Sequence, residues 1–169
     1  MRGANMSNPT LRNMTAIYLL QNGKILLLYR KGSKVSNNKW IGAAGGHFEE
    51  CEINDATACV LRELREEISV TKDMIENLKM RYITIRRSKG EIRQNYYFFA
   101  DLRSDIDIKL ESNEGTLQWF ELEELHDLEM PFSAKYMIMH YIENGRFNDK
   151  LYAGVADGEK VIFTELPEF

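Results

Sequence analysis

Cysteine is scarce in this chain. Cys51 and Cys59 are the only two among 169 residues, and neither belongs to a CxxC pair. That spacing argues against a zinc site or a disulfide framework and suits free thiols of a reducing cytoplasm. Long hydrophobic runs are missing as well: no stretch approaches the ~18 apolar residues of a membrane span. The polar opening MRGANMSNPTLRN lacks the apolar core of a secretory signal. Positive charge is not in excess, since 22 Lys and Arg face 26 Asp and Glu for a net charge of -4. No basic run is long enough to hold a nucleic acid chain, which argues against a stable nucleic-acid partner. Internal repeats, low-complexity tracts and linkers are absent too. We therefore expect a flexible segment over 1–13 and a single domain over 14–169.

What is present is an ordinary globular composition, 44% hydrophobic and 28% charged, in a chain long enough to bury its own core. Thr15–Leu20 and Lys24–Arg30 are β-rich runs around the turn signal Gln21-Asn22-Gly23, a hairpin pattern. A helix is expected from a cap at Asn54 or Asp55 to about Ile68. Strands are expected at Met80–Arg87, Gln94–Leu102 and Thr116–Phe120, with an acidic, mobile stretch over Arg103–Gly115. Ser133 is a plausible N-cap for a second, well-buried helix that stops near Gly145, and Leu151–Val155 and Lys160–Thr164 form a final hairpin. The pattern as a whole is α+β with a mixed sheet.

The most unusual stretch is Gly45–Val70. It holds Glu49, Glu50, Glu52, Asp55, Glu63, Glu66 and Glu67 against only Arg62 and Arg65, a net charge of -5 where the whole chain carries -4. On a wheel of ~100° per residue with Ala56 at zero, Val60, Leu61, Leu64 and Ile68 form the apolar stripe at about 40° to 140°. Glu66, Glu63 and Glu67 fall at about 280°, 340° and 20°, directly beside that stripe. A solvated face would lie opposite the stripe and would mix charge signs. Glu63 and Glu67 are instead a like-charge i, i+4 pair. A divalent cation would offset their repulsion, and Mg²⁺, which takes carboxylate oxygens together with substrate phosphates, suits them; a solvated or capping face is the other reading. Ala56, Cys59 and the preceding Gly45-Gly46 are small enough to let a loop approach the carboxylates.

These residues resemble the Nudix hydrolase signature: a glycine, five residues, Glu, seven residues, then Arg-Glu-aliphatic-any-Glu-Glu-any-Gly-aliphatic. Gly46 is followed after five residues by Glu52, and Arg62-Glu63-Leu64-Arg65-Glu66-Glu67-Ile68-Ser69-Val70 matches the second half. Two departures stand out. Nine residues rather than seven separate Glu52 from Arg62, which leaves the role of Glu52 open, and Ser69 replaces the usual glycine. The flanking segments YRKGSKVSNNKWIGAAGGHFEE and SNEGTLQWFELEEL are similar to those of Nudix enzymes, MutT-like in look, that hydrolyse oxidised purine nucleoside triphosphates. Trp40 is followed by Ile41 rather than the base-reading Asn of the mammalian enzymes, and Met130-Pro131-Phe132 stands where they carry an Asp pair. Oxidised-guanine specificity is therefore not carried over.

The resemblance implies an α/β/α sandwich and a Mg²⁺-dependent pyrophosphohydrolase, with Mn²⁺ as the substitute ion. The substrate would be a nucleoside diphosphate derivative, foremost a nucleoside triphosphate cleaved to monophosphate and pyrophosphate. It implies metal ligation by Glu63, Glu66, Glu67 and the Gly46 carbonyl. Glu63 or Glu114 would accept the proton of the attacking water, although Glu114 also reads as an exposed loop acid. Arg62 would orient the carboxylates or form a simple i, i+4 pair with Glu66. Arg30, Lys34 and Lys39 are candidates for phosphate contacts, and Trp40, Phe48, Tyr82 and Trp119 for an aromatic wall or for core. Dinucleotides, nucleotide sugars or other diphosphates are alternative substrates; for them, Arg81, Arg86, Arg87, Lys89 and Arg93 would suit extra phosphates or solvent. A non-catalytic nucleotide sensor is the reading from another class, and pairing of two copies is left open.

Overall fold

The computed structural model describes residues 8–32 and 38–169. Among the described residues nine strands form one mixed sheet: β1 (Thr10–Gln21), β2 (Lys24–Arg30), β3 (Lys39–Gly42), β4 (Ile75–Ser88), β5 (Glu91–Leu102), β6 (Glu111–Ser112), β7 (Gly115–Glu121), β8 (Tyr152–Ala156) and β9 (Val161–Glu165). Their order is β6-β7-β2-β1-β5-β4-β8-β9, with β3 on β2. The β1/β5 and β4/β8 pairs are parallel and the others antiparallel.

Strand alternation explains the layering. Ile17, Leu19, Leu26, Leu28, Phe98 and Ala100 face one side, where helix α1 (Ala56–Ile68) adds Val60 and Leu64. Tyr18, Ile25, Leu27, Tyr97 and Phe99 face the other, where helix α2 (Phe132–Glu143) adds Ala134, Met137, Ile138 and Tyr141. The result is the expected α/β/α sandwich. Among the described residues no helix is long and apolar enough to cross a membrane.

Several expectations shift. The sheet begins at Thr10, because Thr10–Asn13 pair with Glu91–Gln94; only Met1–Ser7 of the segment read as flexible lie outside the described residues. The acidic stretch before β7 contains β6, which folds back on Gly115 and Thr116. The first hairpin turns through Asn22 (φ 52°) and Gly23 (φ 78°), the left-handed pair a tight antiparallel turn requires. Asp55, not Asn54, caps α1, its side chain accepting from Ala58 N at 2.9 Å. Ser133 is not an N-cap: Pro131 occupies that position without any side-chain cap, and Ser133 lies inside α2, 4% exposed. The rigid φ of proline starts the helix, and the serine is turned into the fold.

Candidate active site

Arg62 is the hub of the site. Its Nε donates to Glu52 Oε1 (2.7 Å) and its Nη2 to Glu52 Oε2 (2.9 Å), a two-pronged pair. Nη1 donates to Glu63 Oε1 (2.9 Å) and Glu66 Oε2 (3.1 Å), and Nη2 also reaches the His47 carbonyl at 3.1 Å. One guanidinium therefore fixes three carboxylates and the loop before the helix, which is far more than a surface i, i+4 contact. Glu52 is the residue whose role the sequence left open. It is 4% exposed, also accepts from Glu49 N at 3.0 Å, and the guanidinium of Arg62 holds its carboxyl down at about 2. A short turn at Glu50–Glu52 absorbs the longer loop and still delivers Glu52 to Arg62.

The loop before α1 crosses β1. Ile17 pairs with Ala44 and Met14 with His47, with Thr15 N donating to the Gly46 carbonyl at 2.8 Å. Gly45 (φ +153°) makes the kink between these contacts, and a side chain there would overlap the Thr15 carbonyl. Gly46 lies directly against the Glu63 carboxylate, where a Cβ would collide. The small, buried Cys59 sits beneath this crossing, its Sγ 3.4 Å from Thr15 Oγ1, and burial pushes its thiol up to about 11. It is inert packing rather than a nucleophile.

Glu67 Oε2 accepts from Gly45 N at 3.0 Å. Burial raises its pKa to about 7, opposed by that hydrogen bond and reinforced by the charges of Glu114 and Glu63. Burial also raises Glu63, against the pull of Arg62. Glu66 is half exposed at the helix edge. Glu114 forms an ion pair with Arg30. Among the described residues, no three acidic, histidine or cysteine side chains converge on a single point. The carboxylates of α1 nonetheless offer oxygen donors, and the Gly46 carbonyl beside Glu63 accepts from Thr15 N at 2.8 Å and, weakly, from Cys59 Sγ at 4.0 Å. That chemistry suits a hard cation rather than zinc or copper.

Thr15, Gly45 and Arg30 also border a cavity of about 320 Å³ that runs under the start of α2. Lys39 lines it, whereas Lys34 lies outside the described residues. Trp40 does not line it: it packs into the core on the α2 side, its ring against Phe120 (4.7 Å between centroids) and Tyr29 (4.9 Å). Tyr82 is fully buried core, Trp119 packs on the α1 side, and Phe48 meets Tyr96 edge-on at 5.4 Å. None of these four aromatics lines the cavity; Tyr18, Tyr97 and Phe132 do. Alternation of β1 and β5 would have singled out the first two only if the strand pairing had been known.

A family model described as NUDIX domain matches residues 10–141. Among curated proteins, none matches this chain. Solved structures share the fold. A MutT protein from Bacillus halodurans is 20% identical, with 94% of this chain and 99% of that one covered and a TM-score of 0.66. A MutT protein from Methanosarcina mazei Go1 is 18% identical, with coverage of 83% and 99% and a TM-score of 0.64. An Ap4A hydrolase from C. elegans, solved as a binary complex, is 18% identical, with coverage of 82% and 99% and a TM-score of 0.58.

Proposed function

The chain belongs to the NUDIX domain family, hydrolases acting on diphosphate bonds of nucleoside diphosphate derivatives, and from that premise we propose that it is a Mg²⁺-dependent pyrophosphohydrolase. Its simplest substrate would be a nucleoside triphosphate, released as monophosphate and pyrophosphate. The observation that carries this reading is the set of carboxylates on one side of α1, with Glu63 and Glu66 oriented by Arg62 and Glu67 held by the N–H of Gly45, which also borders the cavity.

Glu63, Glu66, Glu67 and the Gly46 carbonyl would hold the cation, with Mn²⁺ able to replace Mg²⁺. When bound, such an ion offsets charge on the diphosphate and makes water a stronger nucleophile near neutral pH. Arg62 keeps Glu63 and Glu66 in register, and its own position is locked by Glu52. Arg30 and Lys39 border the space a diphosphate would enter. Glu63 and Glu114 are the two candidates to take the proton of the attacking water. Arg30 neutralises Glu114, so substrate phosphates that draw Arg30 away would free this carboxylate to act. The free thiols Cys51 and Cys59 suit a cytoplasmic setting.

The test is turnover of a panel of triphosphates, dinucleotides and nucleotide sugars with Mg²⁺, read as pyrophosphate and phosphate release. Glu67→Gln should lower kcat more than the ~10–100-fold typical of losing a partner one layer out from a metal. Undiminished activity in Glu67→Gln would refute the site, and no turnover of any substrate would refute the hydrolase reading. Glu63→Gln and Glu114→Gln, compared by pH profile, identify the base.

A further inference from the structure

The basic residues of the β4–β5 ribbon do not share one fate. Arg81 is buried and donates to the Gly145, Asn148 and Lys150 carbonyls, a structural clamp. Arg87 and Lys89 are exposed. Arg86 and Arg93 line the cavity. They are direct cross-strand partners, and Arg93 is in turn the register partner of Arg12 on β1. Three arginines thus form a row across three adjacent strands. Like charges directly opposite destabilise a sheet. Of the described residues only Glu91 answers them, at 2.8 Å from Arg93 and 3.8 Å from Arg12. Among the described residues, Arg86 and Lys39 have no carboxylate partner, Arg12 Nε is buried without a hydrogen bond, and no acidic side chain lines the cavity. In a protein of net charge -4, this wall is anomalously positive.

A second observation comes from the opposite wall. The 12-residue helix α2 points its N-terminus into the same cavity through Phe132, Ser133 and Ala134, with no side-chain cap on its first amides. Ser133 is 4% exposed and its Oγ has no hydrogen-bond partner. Free helix-start amides, an unpaired buried hydroxyl, the unpaired Arg86 guanidinium and the Arg93 guanidinium that shares one carboxylate with Arg12 are complementary to one kind of ligand, an oxyanion. Arg86 lies two strands away from β1, about 10 Å across the sheet. This end is therefore separate from the Gly45 end, where Glu67 sits.

We propose that the cavity between Ser133 on α2 and Arg86 and Arg93 on β4 and β5 is a second anion subsite that holds a phosphomonoester carried by the substrate away from its scissile diphosphate. This rests on the diphosphatase reading above and narrows it: the favoured substrates are nucleoside diphosphate derivatives with an additional phosphate on the sugar. That phosphate is held and not cleaved. It supplies the counter-charge the arginine row lacks, and Ser133 Oγ and the first α2 amides supply its hydrogen bonds.

Two measurements test this. The first reads binding without turnover: metal-free protein is titrated with inorganic phosphate while the Ser133 and Ala134 amide resonances are followed. Saturable shifts are expected, with affinity about tenfold or more weaker in Arg86→Ala, as loss of a charge-assisted hydrogen bond implies. Ser133→Ala, which removes a hydroxyl with no partner and should fold normally, is expected to weaken binding in the same direction. The second compares kcat/KM within pairs that differ by one sugar phosphate, NADPH against NADH and coenzyme A against dephospho-coenzyme A. The phosphorylated member of at least one pair should be favoured about tenfold or more, and Arg86→Ala should bring that ratio towards one. Absence of phosphate binding would overturn the proposal. So would phosphate binding with equal kcat/KM within both pairs, which would mark a site for free phosphate instead. Failure to hydrolyse any diphosphate would refute the underlying activity, while the metal-free titration would still read the subsite by itself.

Discussion

Arg62 shows how much of the site rests on one side chain. Five of its contacts at 2.7–3.1 Å go to Glu52, Glu63, Glu66 and the His47 carbonyl. Lysine has a similar charge but a single donor centre and cannot reproduce the fork. Arg62→Lys should therefore lower kcat/KM by about 10–100-fold with the fold intact, measured by steady-state kinetics beside circular dichroism. A change below about twofold would show that the carboxylates hold themselves in place. Neighbouring Glu63 and Glu66 were legible as one helix face, because a helix makes spacing equivalent to direction. Glu52 was not legible, since its link to Arg62 depends on how a loop of non-standard length folds back. Ser133 misled for a related reason: a serine after proline looks like a cap until the helix start is fixed to the residue.

At the scale of elements, α1 ends as its sequence forewarned. Ser69 adopts φ 58°, ψ 25° and its N–H closes on the Arg65 and Leu64 carbonyls, a left-handed cap where glycine carries no steric cost. Ser69→Gly should raise stability by about 0.5–1 kcal/mol in urea unfolding. A loss of stability would mean that the serine side chain contributes a contact that offsets its strain. Helix α2 is tied to β4 by Tyr82 Oη and His140 Nδ1 at 2.9 Å, with Tyr152 and Phe163 of the C-terminal hairpin packed on the imidazole at 4.7 Å. Burial lowers the His140 pKa below 6.5, against the charge of Glu143. The unfolded chain thus takes up a proton before the folded one does. The contribution of His140 is complete above the unfolded pKa and is lost as the pH falls from about 6.5 through the folded value. His140→Gln should flatten that part of the stability–pH curve, and an unchanged slope would place its origin elsewhere. The helices and long strands were readable from periodicity. The two-residue β6 and the first residues of β1 were not, because they exist only through pairing with β7 and β5.

Across the whole molecule, charge is sorted rather than balanced. The chain concentrates a cluster of acids on α1 and the loop before it and sets Arg12, Arg93 and Arg86 in register across β1, β5 and β4. No residue count could show this, since it follows from strand order and register. Arg81 and Arg87 look no different in sequence from Arg86 and Arg93. The acidic side carries a consequence for stability. Glu63, Glu66 and Glu67 share one side of α1, and among the described residues Arg62 is in direct contact with two of them, while burial works against the charged forms of Glu63 and Glu67. A divalent cation that binds this folded arrangement and not the unfolded chain must stabilise by mass action. At a hundredfold excess over its Kd the gain is about 2.7 kcal/mol, which for a domain of this size raises Tm by roughly 5–11 °C. Mg²⁺ titrated into metal-free protein should give a saturating rise of that order by scanning calorimetry, reversed by chelator. In Glu67→Gln the rise should shrink to the small, non-saturating drift of added salt. An equal, saturating rise in that variant would place the ion elsewhere and detach the acidic helix face from metal binding.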